Sequence, residues 1–201
     1  MSSATPSGAE VPPSHLTKRV TTAVSLGTVI EWYDFFLYGT AAALVFPHLF
    51  FPAQNGTVGA LLSFATFATG FAARPVGGII FGHLGDRVGR KTVLVTTLVL
   101  MGVATVGIGL LPTYDQVGVA APVLLVALRI VQGLGTGGEW GGAALMTKEN
   151  GSTRPGFFGS FLSASVFAGL ILGSMVYTAL ASVLTEEQLF GWGWRVPFLV
   201  S

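Results

Sequence analysis

Apolar residues in this chain gather into long unbroken blocks instead of alternating with polar ones. Five blocks of about twenty or more mostly apolar residues are set apart by short polar stretches: Ala23–Phe46, Gly59–Phe81, Val93–Leu111, Val119–Met146 and Phe157–Val183. Each is as long as a helix needs to be to cross the hydrocarbon layer of a bilayer. Backbone polar groups in lipid have only each other to bond, so the element expected for each block is a helix. A sixth block begins near Trp192 and reaches the last residue, Ser201, short of a span. The expected architecture is therefore an all-α membrane bundle over residues 21–201, with five full helices and a truncated sixth. Residues 1–20, rich in Ser, Pro and small side chains, are expected as a disordered tail.

Composition strengthens this picture. Of the 201 residues, 51% are hydrophobic and only 9% charged, against about 25% charged in an ordinary soluble domain. The tail lacks the apolar segment directly after a basic start that a cleaved signal peptide requires, so the first helix is read as an uncleaved insertion signal. Cysteine is absent, which removes disulfides and thiol chemistry.

The distribution of charge says more than its sum. Lys18 and Arg19 precede the first block, Arg87, Arg90 and Lys91 separate the second from the third, and Lys148 and Arg154 separate the fourth from the fifth. The intervening stretches carry Asp115, Glu186 and Glu187 and no Lys or Arg, with Arg195 the exception near the sixth. Under the positive-inside rule this bias predicts a cytoplasmic N-terminus.

Small residues recur at four-residue spacing. Gly133, Gly137 and Gly141 share one face, and Ser165, Gly169 and Gly173 another. Such faces are expected to be packing surfaces, because close backbone approach is what drives helix association in lipid.

Ionisable groups inside the spans stand out. Inserting one costs about 2.5–3.5 kcal/mol on biological scales, so they mark functional candidates. Glu31, Asp34, Arg74, Arg129 and Glu139 are the five. Glu31 and Asp34 are three residues apart and Tyr38 four further on, which places them on one helix face. Counting about 1.5 Å per residue puts Glu31 roughly 15 Å deep, and Arg129 at a similar depth. Depth alone pairs Glu31 or Asp34 with Arg129, and Arg74 with Glu139. A carboxylate and an arginine so paired can exchange a proton as a substrate anion claims the arginine. Asp34 or Glu31 would then carry the proton and Arg129 bind the anion.

Other chemistry is sparse. His15, His48 and His83 form no metal-ligand pattern, and no nucleophile elbow, zinc-protease motif or phosphate-cradling loop occurs. No enzyme activity, cofactor, metal or nucleic-acid partner is expected. The expected partners are the lipid bilayer, a small metabolite and protons.

Four segments carry a family resemblance. They are Gly27-Thr28-Val29-Ile30-Glu31-Trp32-Tyr33-Asp34-Phe35; Arg74-Pro75-Val76-Gly77-Gly78, running into Phe81-Gly82-His83-Leu84-Gly85-Asp86-Arg87 and on to Gly89-Arg90-Lys91; Arg129-Ile130-Val131-Gln132-Gly133, with Gly137-Gly138-Glu139-Trp140; and Trp192-Gly193-Trp194-Arg195-Val196-Pro197-Phe198. In order and spacing the set resembles the major facilitator superfamily, in particular its metabolite:proton symporters, among them shikimate-type carriers. The resemblance implies an N-terminal six-helix bundle, a second bundle in the complete protein and alternating access between the two. It implies a cytoplasmic ion-pair latch of Asp86, Arg87 and Arg90 with Glu149, placed on a short loop at which Gly82 and Gly85 let helices approach. It also associates Arg129 and Gln132 with proton transfer. Gly173 is followed by Ser174, not by the proline of drug:proton antiporters, which tips the reading to symport.

The expected function is proton-coupled symport of a small carboxylated metabolite across a bacterial inner membrane. Its pathway would be Glu31, Asp34, Tyr38, Arg74, Arg129, Gln132 and Glu139. The alternative is a truncated, non-transporting fragment or a half-transporter that needs a second bundle. The end at Ser201, partway through a span, ranks the fragment above a homodimer of halves.

Overall fold

A computed structural model describes residues 14–149 and 155–201, with side chains described for 26–89, 92–139, 160 and 163–201. The expected blocks are all helical. Helix α1 runs Ser14–Leu44, α3 Gly56–Val88, α4 Arg90–Gly109, α6 Ala120–Glu149 and α7 Pro155–Val183. Short helices α2 (Phe46–Phe50), α5 (Tyr114–Val117) and α8 (Glu186–Gly191) fill the connections. A 3₁₀ turn at Gly193–Arg195 leads into α9, Val196–Val200, where the sixth block was expected.

Two boundaries differ from expectation for local reasons. Helix α1 starts at Ser14, inside the stretch expected as tail, because neither Pro nor Gly interrupts the chain between Ser14 and Gly27. Helix α3 runs on to Val88, so the charged segment Gly82–Val88 is helical and the break is Gly89 alone. Gly89 adopts φ 95°, a backbone state open to glycine and costly for other residues. At the other end of α3, Asn55 caps the helix by accepting the Val58 N–H at 2.9 Å.

Among the described residues, four segments are long and apolar enough to cross a membrane: Gly56–Val88, Thr92–Gly109, Ala120–Glu139 and Ser163–Val183. Helix α1 is not one of them. Glu31, Asp34 and its polar aromatic residues dilute its apolar character, and among the described residues it is the helix that buries acids, Glu31 and Asp34. The bundle's outer surface is greasy: Leu61, Ile79, Val103, Val123, Phe167 and Met175 all point outward. An apolar exterior around a core holding charged side chains inverts the pattern of a water-soluble protein and suits lipid.

Helix α6 packs along both α3 and α4, and α1 packs along α7. The α3–α6 contact is backbone on backbone. A methyl placed on Gly133 would overlap the Gly70 carbonyl, one on Gly137 the Arg74 carbonyl, and one on Gly77 the Leu134 carbonyl. Gly169 does the same for α1–α7, where a Cβ would lie 2.6 Å from Trp32 Cβ. At one end of the bundle, Phe46, Phe50, Trp194 and Phe198 close the core as edge-to-face and stacked rings, with centroids 5.2–6.2 Å apart. Arg195 ties this end together, donating to the Leu111 carbonyl at 3.2 Å.

The glycine contacts yield a direct test. Gly137→Ala should cost at least the 1–3 kcal/mol typical of an overpacked interface, read as a lower unfolding temperature in detergent. Gly102→Ala, with open space around its Cβ, should be neutral or stabilise by up to about 1 kcal/mol through the glycine entropy term. Equal behaviour of the two would remove the close α3–α6 contact from the account.

Candidate functional site

The close approach of α3 and α6 brings side chains from four helices around one cavity. Its lining is Glu31, Asp34 and Phe35 from α1, Gly70 and Arg74 from α3, Met101 from α4, and Arg129, Gln132, Gly133 and Thr136 from α6. Its free volume is about 10 Å³, room for a single water, and part of it is open to the outside. Glu31, Asp34, Arg129, Gln132 and Thr136 are all buried, at 9% exposure or less. Two acids and two guanidinium groups thus share a water-sized space inside an apolar bundle.

A chain of hydrogen bonds crosses the cavity wall. Arg129 Nη1 donates to Gln132 Oε1, one helical turn on. Gln132 Nε2 donates to Thr105 Oγ1 at 2.9 Å, and Thr105 Oγ1 donates to Asp34 Oδ2 at 2.9 Å. Ser201 Oγ donates to the other carboxylate oxygen, Oδ1. The link between Asp34 and Arg129 that depth alone implied therefore runs through Gln132 and Thr105. Hydrogen bonds to ionised groups are the strong ones, and low dielectric strengthens them.

Both arginines rest on aromatic faces. The Arg129 guanidinium carbon lies 3.8 Å from the Tyr38 ring centre and 4.9 Å from that of Phe67. Arg74 lies 4.4 Å from Phe71 and 5.6 Å from Phe35. Phe35 in turn contacts Phe67 and Phe71 at 4.7 and 5.2 Å, so one aromatic ladder separates the two cations. The ring quadrupoles offset part of the cost of keeping guanidinium groups out of water. Among the described residues, Arg74 Nε and Arg129 Nε are buried N–H donors without an acceptor. Such donors are seldom left unpaired in a native fold.

Tyr38 does not reach the cavity. It lies fully buried beneath Arg129, its hydroxyl 2.6 Å from Thr66 Oγ1. Glu139 departs from the expected pairing with Arg74. A Cβ placed on Gly27 of α1 would lie 3.9 Å from its Oε1, the charge of Glu31 acts on it, and among the described residues its Oε2 is buried without a hydrogen-bond partner. Glu31 interacts electrostatically with both Arg74 and Glu139, so it takes the place in the second tier that depth gave to a direct Arg74–Glu139 pair.

The charged motif at the end of α3 presents Asp86 and Arg87 to the outside. Among the described residues Gly82 and Gly85 are not points of close helix approach: a Cβ at Gly82 meets nothing within 4 Å, and one at Gly85 meets only Val93, at 3.9 Å. The reason is that α3 continues through this segment instead of turning in it. Arg90 and Glu149, the remaining members of the expected latch, lie outside the described side chains.

Sequence reading missed Thr105, Ser201 and Thr66. The available signal was faint: Thr97, Met101, Thr105 and Ile108 form a buried stripe on α4, yet a threonine in an apolar span ordinarily bonds its own helix, as Thr105 also does to the Met101 carbonyl at 3.0 Å.

The ring beneath Arg129 can be tested by itself. Tyr38→Phe removes only the bond to Thr66 and should cost about 0.5–1.5 kcal/mol. Tyr38→Leu also removes the aromatic face, adding about 0.5–2 kcal/mol. Thermal unfolding in detergent separates the two, and equal losses would leave no energetic role for the guanidinium–ring contact.

Comparison with known proteins bears on the family and the fold. Residues 20–201 match the family of sugar (and other) transporters. The chain is 49% identical over 193 residues to the inner membrane metabolite transport protein YhjE of Escherichia coli, covering 96% of this chain and 44% of that protein. It is 48% identical to the E. coli shikimate transporter, covering 87% and 40%. To a putative proline/betaine transporter of Staphylococcus aureus it is 41% identical, covering 91% and 40%. The chain thus spans less than half the length of these relatives. Its fold superposes on the major facilitator superfamily proton:xylose symporter XylE with a TM-score of 0.75 at 21% identity, covering 93% of this chain and 42% of that one. The chain belongs to the sugar (and other) transporter family of the major facilitator superfamily, as an N-terminal half of that all-α membrane fold.

Proposed function

We propose that this chain forms the N-terminal bundle of a secondary active transporter that couples proton flow to symport of a small carboxylated metabolite across a bacterial inner membrane, with the N-terminus in the cytoplasm. The observation that carries the reading is the hydrogen-bonded chain Asp34–Thr105–Gln132–Arg129 along one cavity wall. It joins a group able to carry a proton to a group able to hold an anion, so that occupation of one bears on the other. Asp34 is the proton carrier in this reading. Arg129, supported by Arg74, binds the substrate carboxylate, the Nε–H of each having no acceptor among the described residues, and an arginine fork suits a carboxylate better than a point charge does. Glu31 and Glu139 form a second acidic station beside Arg74.

Substrate class rests on two supports: paired guanidinium groups in the cavity, and likeness to a protein named as a shikimate transporter. The orientation rests on the basic residues that flank α1, α3 and α7. Asp86, Arg87, Arg90 and Glu149 serve as the latch that closes the cytoplasmic side when the two bundles meet. A second bundle, of the kind that the relatives' greater length accommodates, supplies the other half of the substrate cavity.

Uptake of labelled shikimate into proteoliposomes holding the full-length transporter tests the proposal. Uptake should collapse when a protonophore is added, and should be lost in Asp34→Asn. Shikimate uptake that survives both treatments would contradict proton coupling through Asp34.

A further inference from the structure

Thr105 occupies a position whose hydrogen bonds cannot all be made at once. Its Oγ1 lies 2.9 Å from Asp34 Oδ2, 3.0 Å from the Met101 carbonyl oxygen and 2.9 Å from Gln132 Nε2, and the residue is 1% exposed. A hydroxyl has one hydrogen and two lone pairs. The Gln132 amide takes one lone pair. The hydrogen then faces two acceptors and satisfies one.

We infer that Thr105 is a positioning residue for proton coupling, a two-position hydroxyl that reads whether Asp34 holds a proton and passes that state to Gln132 and Arg129. The inference rests on the proposed role of Asp34. With Asp34 ionised, the Thr105 hydrogen points to Oδ2. When Oδ2 takes up an excess proton delivered as hydronium from bulk water, that proton is donated to the free lone pair of Thr105 Oγ1. The threonine hydrogen then turns to the Met101 carbonyl, which has a second lone pair for it. One proton enters from water, and the threonine neither gains nor loses one.

Both arrangements leave each of these groups bonded, so neither state carries the penalty of a buried orphan. They differ at Gln132. Only in the protonated state does its amide share Oγ1 with a second donor, and the same side chain holds Arg129 through Oε1. The charged and titratable groups around Asp34 are Glu31 and Tyr33 on its own helix, Arg74 from α3 and Arg129 from α6. From α4 the group facing it is the Thr105 hydroxyl, and from beyond α9 the Ser201 hydroxyl.

The test is infrared difference spectroscopy of the purified full-length protein across a pH titration, for the parent, Asp34→Asn, Thr105→Val and Thr105→Ser. The parent should show a carboxylic-acid band that Asp34→Asn removes. Thr105→Val, close to threonine in shape, should move that band to higher frequency and displace its pH midpoint by about one unit or more, the size expected for a lost hydrogen bond to a charged group. Thr105→Ser should restore both. A Thr105→Val band and midpoint identical to the parent's would overturn the role of Thr105 while leaving Asp34 as proton carrier. A Thr105→Ser protein that behaves like Thr105→Val would also overturn it, since packing and not the hydroxyl would then be the cause. Absence of any Asp34 band in the parent would overturn both the switch and the reading on which it rests.

Discussion

The backbone contact between α3 and α6 sets the rest of the structure. Gly133 against the Gly70 carbonyl and Gly137 against the Arg74 carbonyl fix the two helices at a separation that no side chain could fill. In lipid, where hydrophobic burial adds little to helix association, such close van der Waals contact is what holds a bundle in one arrangement. Its consequence is chemical. Arg129 lies one turn before Gly133 and Arg74 one turn after Gly70, so locking these glycines together places both guanidinium groups at one cavity.

Two cations so placed, away from water, would be costly without compensation. Compensation comes from three directions. Rings of Tyr38, Phe67, Phe71 and Phe35 face the guanidinium planes. Gln132 and Thr105 connect Arg129 to the carboxylate of Asp34. Glu31 supplies countercharge to Arg74. What remains is a pair of unpaired N–H donors and a small cleft.

Much of the fold was legible in sequence because lipid imposes a one-dimensional code. A block of about twenty apolar residues has few options other than a spanning helix, and every such block proved helical. Where the code is two-dimensional, reading fell short. The charged segment after Phe81 reads as a loop because charges are costly in lipid, yet nothing there breaks a helix before Gly89, so α3 continues. Charge inside the apolar spans identified Glu31, Asp34, Arg74 and Arg129, and the family resemblance added Gln132; all five line the cavity. Depth carries no information about which helices are neighbours, and so it paired Arg74 with Glu139 where the electrostatic neighbour is Glu31. Thr105 was invisible for a related reason: one hydroxyl becomes informative only when a carboxylate from another helix arrives within 2.9 Å.

The central claim is that anion binding at Arg129 and proton binding at Asp34 are energetically linked through the intervening side chains. Calorimetry of shikimate binding to the full-length protein, in buffers of different ionisation enthalpy, measures that linkage without transport. The account predicts a binding heat that varies with the buffer in the parent and does not in Asp34→Asn. Binding heats independent of the buffer in the parent, or equally dependent on it in both proteins, would contradict the link.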